Sequence, residues 1–268
     1  MLPFDDGEGT AGTMTHHRMD WPPPAPPWPT NAEELVAVQD ELGRATGASW
    51  PTPSDIGRVA ACFVCFECGR AGPGFAGDRG WAAACLTGME GEPRPPTSIV
   101  RGLAEAPYEP GLLALREGPM LEAALRSLPP PDLLVVNATG RDHPRRAGLA
   151  LQLGARLDLP SIGVTNRPLL ATGASPEDRR GATSPLRIGD EIVAAWVRSR
   201  AGTRPLVAHP GWRTDREQAI ELVLRLTPRW RTPLPLRIAR QAARLARAAN
   251  GLAQDQARCS SCSVTATR

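Results

Sequence analysis

The chain has 268 residues, with 31 Lys+Arg against 28 Asp+Glu, and every one of those 31 bases is an arginine. At roughly 100–200 residues per domain, that length allows one large domain or two small ones. The longest apolar run, Val59 to Phe66, falls far short of the roughly 20 residues a membrane-spanning helix needs. The acidic start, MLPFDDGEGT, has no apolar stretch of a secretory signal. The expected address is therefore the cytoplasm, with no membrane partner.

Residues 1–30 form a proline-rich leader in which Pro22, Pro23, Pro24, Pro26, Pro27 and Pro29 surround Trp28. Such a composition favours a polyproline segment and offers no core, so this stretch is expected to be disordered and solvated, with His16 and His17 in it. Thr30 to Glu33 reads as a capping box, and Leu35, Val38 and Leu42 follow at helical spacing, which predicts a helix over 31–45. Arg58 to Phe66 reads as a buried strand, followed by strands at Trp81–Thr87 and Ser98–Ala104 with Gly/Pro-rich turns between. Gly111–Leu128 is a long amphipathic helix, Asp132–Asn137 a short apolar strand, Arg146–Leu157 a helix and Ser161–Thr165 another strand. Glu191–Arg198 and Pro205–Ala208 read as a β pair, and Asp215–Leu226 and Leu234–Ala249 as closing helices. This order predicts an antiparallel meander feeding a parallel βαβ section. A main domain over 31–250 is expected, with a flexible tail over 251–268.

The cysteines fall at Cys62, Cys65, Cys68 and Cys85, then Cys259 and Cys262. CxxC spacing invites zinc. Residues three apart on a strand face opposite sides, however, so Cys62 and Cys65 cannot share an ion.

In sheets of this kind ligands gather at the carboxyl ends of the parallel strands. The segment there, Asn137 to Arg146, carries His143, three arginines and Asp142, and leads into a helix whose amino end favours anions. His143 suits a general acid, a phosphate ligand or a metal ligand, or simply caps the next helix. His209 reads as a structural or substrate-edge residue. In the last helix Arg237, Arg240, Arg244 and Arg247 share one face, with Ile238, Ala242, Leu245 and Ala249 opposite. After Glu221 the only acid is Asp255, so that face is either an ordinary solvated one or a phosphate track.

Several motifs in register extend this reading. Ala106-Pro107-Tyr108-Glu109-Pro110-Gly111 with Leu115-Arg116-Glu117-Gly118-Pro119 resembles the PYIPG…FREGP signature of the endonuclease V family. Asp132–Arg146, Gly148–Ala150, Asp158–Val164, Pro210-Gly211, Glu217–Ala219 and Leu222–Pro228 continue the match over about 31–250, and Gln39 in the early helix resembles the family's start. The resemblance implies an α/β, ribonuclease H-like fold with a mixed central sheet flanked by helices. It also implies Mg²⁺-dependent cleavage near deoxyinosine in DNA or inosine in RNA, by a monomer. Pro107, Tyr108 and Pro110 match the wedge that fills the gap left by an extruded base, and Gly111, Leu113 and Gly140 match positions near that base. Arg145 belongs to the same substrate-facing loop.

The metal acids match less well. Glu117 stands at the helix acid and His143 at the nearby histidine, but Phe63 and Asn137 stand where the family has aspartates. Asn166 replaces a lysine and Trp212 a histidine. Magnesium would then rest on Glu117 and Asn137, with Asp142 as a replacement carboxylate. The sequence thus predicts a nucleic-acid-binding member of the repair-nuclease class with weakened or lost cleavage. Two alternatives stand beside it: an active Mg²⁺ endonuclease, and a small-molecule enzyme in the same cleft.

Overall fold

The computed structural model describes residues 21–23, 25–45, 49–52, 56–68, 72–92 and 95–264, with side chains as far as 250. His16, His17 and the side chains of Cys259 and Cys262 lie outside the described residues.

Three long apolar strands open the sheet: β1 (Val59–Phe66), β2 (Arg79–Thr87) and β3 (Thr97–Leu103). They pair antiparallel, each with the next in sequence. Helix α2 (Leu113–Arg126) then carries the chain across to β4 (Leu133–Val136), which lies parallel to β1. Helix α3 (Leu149–Leu157) crosses again to β5 (Ser161–Thr165), parallel to β4. Strands β6 (Thr183–Ile188), β7 (Glu191–Val197) and β8 (Leu206–Pro210) complete one mixed sheet of order β3-β2-β1-β4-β5-β8-β7-β6. The strand that sequence reading missed is β6, an edge strand: its exposure alternates, but it buries only Leu186 and contains Pro185, so its sequence lacks the apolar run of a central strand.

Helices cover both faces. Helix α1 (Ala32–Arg44) packs with α2 and α3 over Ala60, Cys62, Val64, Leu134 and Val136. Its cap is Asn31 rather than Thr30: Asn31 accepts the Glu34 amide at 2.9 Å, and Glu34 accepts the Thr30 amide at 2.9 Å. On the other face α4 (Arg216–Arg225) and α5 (Leu234–Val264) cover Val59, Ala61, Leu133 and Val135. Cys62 packs with the first group and Cys65 with Ala243 and Ala246 of α5, so the two thiols face opposite sides, as strand geometry requires.

Two expectations need correcting. The helix predicted to stop at Ala249 runs through Val264, because Leu252, Ala253, Gln254 and Ala257 are good helix formers and outweigh Gly251. The leader is not wholly solvated: its described residues include two partly buried tryptophans, Trp21 and Trp28, while Pro23, Pro26 and Pro27 are exposed. Trp21 and Trp28 pack against the α1–α3 core. The Trp21 indole N–H donates to the Leu128 carbonyl and that of Trp28 to Glu122, both at 2.7 Å. The Arg156 guanidinium stacks 4.1 Å from the Trp28 ring. A Cβ on Gly118 would lie 2.7 Å from that ring, so only glycine lets the strap lie flat on α2. Proline limits the unbound conformations of the strap, and indoles supply the apolar area that composition alone did not count.

Candidate functional site

The register pairs Cys62 with Val136, which sets Phe63, midway along β1, beside Asn137, just past the carboxyl end of β4. Side chains alternate along a strand, so both turn toward the α5 face. There Arg240 meets them: its Nη2 donates to Asn137 Oδ1 at 2.8 Å, and its guanidinium lies 5.2 Å from the centre of the Phe63 ring. Arg244 lies 6.0 Å from the same ring. Phe63 and Asn137 also line a cavity of about 220 Å³ with Tyr108, Leu113 and Glu117.

Glu117 comes to this cavity from α2. Its neighbour Arg116 turns away to a buried ion pair with Asp78 at 2.8 Å. The Glu117 carboxyl has no hydrogen-bond or ion-pair partner among the described residues. Burial pushes it up to about 7, and the charge of Arg116 offsets only part of that.

The segment Pro107–Pro110 is exposed and projects beside the cavity. It is held from behind. The Gly111 carbonyl accepts from Gln39 Nε2 at 2.9 Å and lies 3.0 Å from His143 Nε2. His143 Nδ1 accepts the Arg145 amide at 3.2 Å, which leaves the ring proton on Nε2 to face Gly111. Burial holds the His143 pKa below its ordinary value, so the ring is neutral. Gly111 itself has φ of +84°, a conformation that favours glycine at this turn. A second cavity, of about 190 Å³, lies between this turn, Asn137–Thr139, His143 and the Thr165–Leu169 segment. Tyr108, Leu113 and Asn137 line both cavities, so the two form one cleft.

The structure thus brings together Glu117, Asn137, His143, Tyr108, Pro110, Gly111 and Leu113. Pro107 sits at the base of the same projection. Other expected site residues do different work. Gly140 does not line the cleft: a Cβ there would lie 1.9 Å from the Pro210 carbonyl, so glycine lets this loop approach β8. Arg145 points to α1, where it donates to Gln39 Oε1 at 3.2 Å and lies 3.9 Å from Asp40. Asp142 is fully buried, and its two oxygens accept the amides of Leu169, Leu170 and Ala171 at 2.6, 2.9 and 2.8 Å. Those three bonds use its lone pairs inside the fold, so it offers the cleft no replacement carboxylate. His209 is buried, with Nε2 2.9 Å from Thr165 Oγ1, and burial lowers it to about 4. It is structural.

Magnesium does not fit the donors present. A hard divalent cation needs several oxygen ligands. The cleft supplies one carboxylate, an aromatic ring at Phe63 and an amide oxygen already bonded to a guanidinium. Among the described residues no group of three or more His, Cys, Asp or Glu is placed to hold a metal. Of the two residues expected to hold magnesium, Glu117 has no side-chain partner among the described residues and Asn137 accepts from Arg240.

Arg240 was visible in sequence as one of a row, but its partner was not. Asn166 repeats the pattern, its Oδ1 accepting from Arg231 Nη1 at 2.9 Å. Both asparagines that stand at charged positions of the family motif are thus bonded by arginines from the C-terminal segment.

The fold and these motifs have relatives. The family description for endonuclease V matches residues 75–241. An endonuclease V of Methanopyrus kandleri is 42% identical over 207 residues, covering 77% of this chain and 85% of that protein. The crystal structure of endonuclease V from Streptomyces avermitilis superposes with a TM-score of 0.73 at 37% identity, covering 82% of this chain and 94% of the other. The Ciona intestinalis endonuclease V, solved in complex with a 24mer DNA containing an inosine followed by a ribo-adenosine, has the same fold with a TM-score of 0.66 at 19% identity over 80% of this chain and 96% of that one. The sheet with its flanking helices is ribonuclease H-like, and the chain belongs to the endonuclease V family.

Proposed function

We propose that this protein binds inosine-containing DNA or RNA in the cleft between α2, the Pro107–Pro110 projection and the Asn137–Thr139 segment, and that it has lost metal-dependent cleavage. The observation that carries this reading is the Arg240–Asn137 bond above the Phe63 ring. It puts a fixed cation where hydrolysis by a metal-activated water needs paired carboxylates. Binding a phosphodiester needs only the cation.

The other parts suit such binding. Tyr108 is 41% exposed at the tip of the projection, where its ring can stack in the space of an extruded base. The 190 Å³ cavity beside it is lined by the polar side chains of Asn137 and Thr139, which an extruded base would meet. Gln39 and His143 clamp the Gly111 carbonyl and so hold the tyrosine in place without taking part in chemistry. Burial raises the Glu117 carboxyl to about 7, so below that pH it is protonated and can donate a hydrogen bond.

One assay tests this: a labelled single strand with one inosine, incubated with protein and Mg²⁺ or Mn²⁺. The expected result is a stable complex and an intact strand. A second reading, an active nuclease, is favoured by the unpaired carboxyl of Glu117 and by the relatives' identity. Nicking that disappears in Glu117→Ala would establish it.

A further inference from the structure

The row of arginines on α5 is not opposite the packed face, as helical spacing alone predicted. Pro235, Leu236, Ala239, Ala243 and Ala246 are the buried positions among the described side chains of α5, while Leu245 is 61% exposed. Each arginine from Arg240 onward therefore follows a buried alanine by one residue, and the row runs along the rim of the packed seam. Its four members part company there. Arg247 turns inward and donates to the Phe66 carbonyl at 3.0 Å. Arg240 reaches Asn137 in the cleft. Arg237 and Arg244 stay exposed.

Trp230 joins them. It is 47% exposed, and the Arg237 guanidinium lies 4.5 Å from its ring. Trp230, Arg237, Arg240, Gln241, Arg244 and Leu245 line a surface groove of about 540 Å³. Neither Arg237, Arg240 nor Arg244 has a carboxylate partner among the described residues, and no acid occurs between Glu221 and Asp255. These guanidinium groups repel one another: burial first, and then Arg244, Arg231 and Arg237, lower the Arg240 pKa. Like charges held together without an acid call for a polyanion. Arg240 lines the groove and donates to Asn137, which lines both cavities of the cleft, so a single hydrogen bond joins groove and cleft.

We propose that this face of α5, with Trp230, is a binding track for the phosphodiester backbone of a single nucleic-acid strand running out of the cleft. Resting on the nucleic-acid reading above, it names the surface that holds the flanking strand. Arg237 and Arg244 are two helical turns apart, about 10 Å along the axis, so they meet separate phosphates. The exposed indole gives an unpaired base a stacking surface that a duplex would hide.

The test uses the full chain and a fluorescein-labelled single strand carrying one inosine, followed by anisotropy from 50 to 200 mM salt. The variants are Arg237→Ala with Arg244→Ala, Trp230→Ala, and Tyr108→Ala in the cleft. All four side chains are exposed, so unchanged thermal midpoints are expected. The double arginine variant should bind about tenfold or more weakly at 50 mM salt, and its slope of log K against log salt should shrink by about 0.7 per lost phosphate contact. Trp230→Ala should weaken binding about fivefold or more at an unchanged slope, and should have no effect on a matching duplex. Affinity within twofold and an unchanged slope in the double variant would overturn the track. If Tyr108→Ala still lost affinity in that case, the cleft reading would survive alone. No binding by the unaltered protein at 50 mM salt would overturn both.

Discussion

Glu117 carries the most informative titration in the cleft. Its carboxyl is raised from 4.5 to about 7, chiefly by burial. Above pH 4.5 the unfolded chain releases this proton while the folded chain keeps it until about pH 7. The folded state then binds more protons than the unfolded one, so stability falls as pH rises through that window. A shift of this size is worth at most about 3 kcal/mol, and the water that reaches the cavity mouth reduces it to about 2 kcal/mol. In Glu117→Gln the amide has no charge to bury, so the variant should not show this loss. Urea unfolding of both proteins at pH 4.5, 6, 7 and 8 checks the reasoning. The variant should gain about 2 kcal/mol on the unaltered protein between pH 4.5 and 8, and 10 mM Mg²⁺ should not close the gap. Parallel stability curves would refute the burial argument. A gap that Mg²⁺ closes would show that an ion takes the carboxylate after all.

Three further outcomes follow from particular contacts. Trp28→Ala removes the 2.7 Å bond to Glu122 and the stack under Arg156, and should cost about 2 kcal/mol in urea unfolding; a change under 0.5 kcal/mol would mean that the strap does not hold α2 to α3. Asp142→Ala leaves three amides without their acceptor and should cost about 3 kcal/mol, measured the same way, whereas an ion-ligating role would leave stability nearly unchanged. Tyr108→Ala should leave the thermal midpoint within experimental error and weaken binding of an inosine-containing strand about fivefold or more, as read by anisotropy; equal affinity would remove the projection from the binding site.

Much of this architecture was legible because it rests on local patterns. The β-branched and aromatic run from Val59 to Phe66, the short strand before Asn137 and the helix that starts after Asp215 all appear where their residue types place them. The motif around Tyr108 and Glu117 pointed to the cleft for the same reason, since neighbours in sequence stay neighbours there. What could not be read were contacts between distant residues. Asp142 looks like a loop carboxylate until the chain returns, nearly 30 residues later, to offer it three amides. Trp28 looks solvated until Gly118 leaves a flat bed for its ring. Arg240 reads as one more surface charge, and only the packing of α5 across β1 brings it to Asn137.

The central claim is that a guanidinium has taken the place of metal-binding carboxylates in a cleft that still grips nucleic acid. The direct measurement is one gel-and-anisotropy experiment on an inosine-containing single strand, run in parallel with EDTA and with 5 mM Mg²⁺ or Mn²⁺. The account predicts an intact strand in every arm, no gain in affinity from the metal beyond the modest loss that a divalent counterion causes, and loss of binding in Arg240→Glu. A strand cut next to the inosine only when metal is present, with Glu117→Ala abolishing the cut, would contradict it.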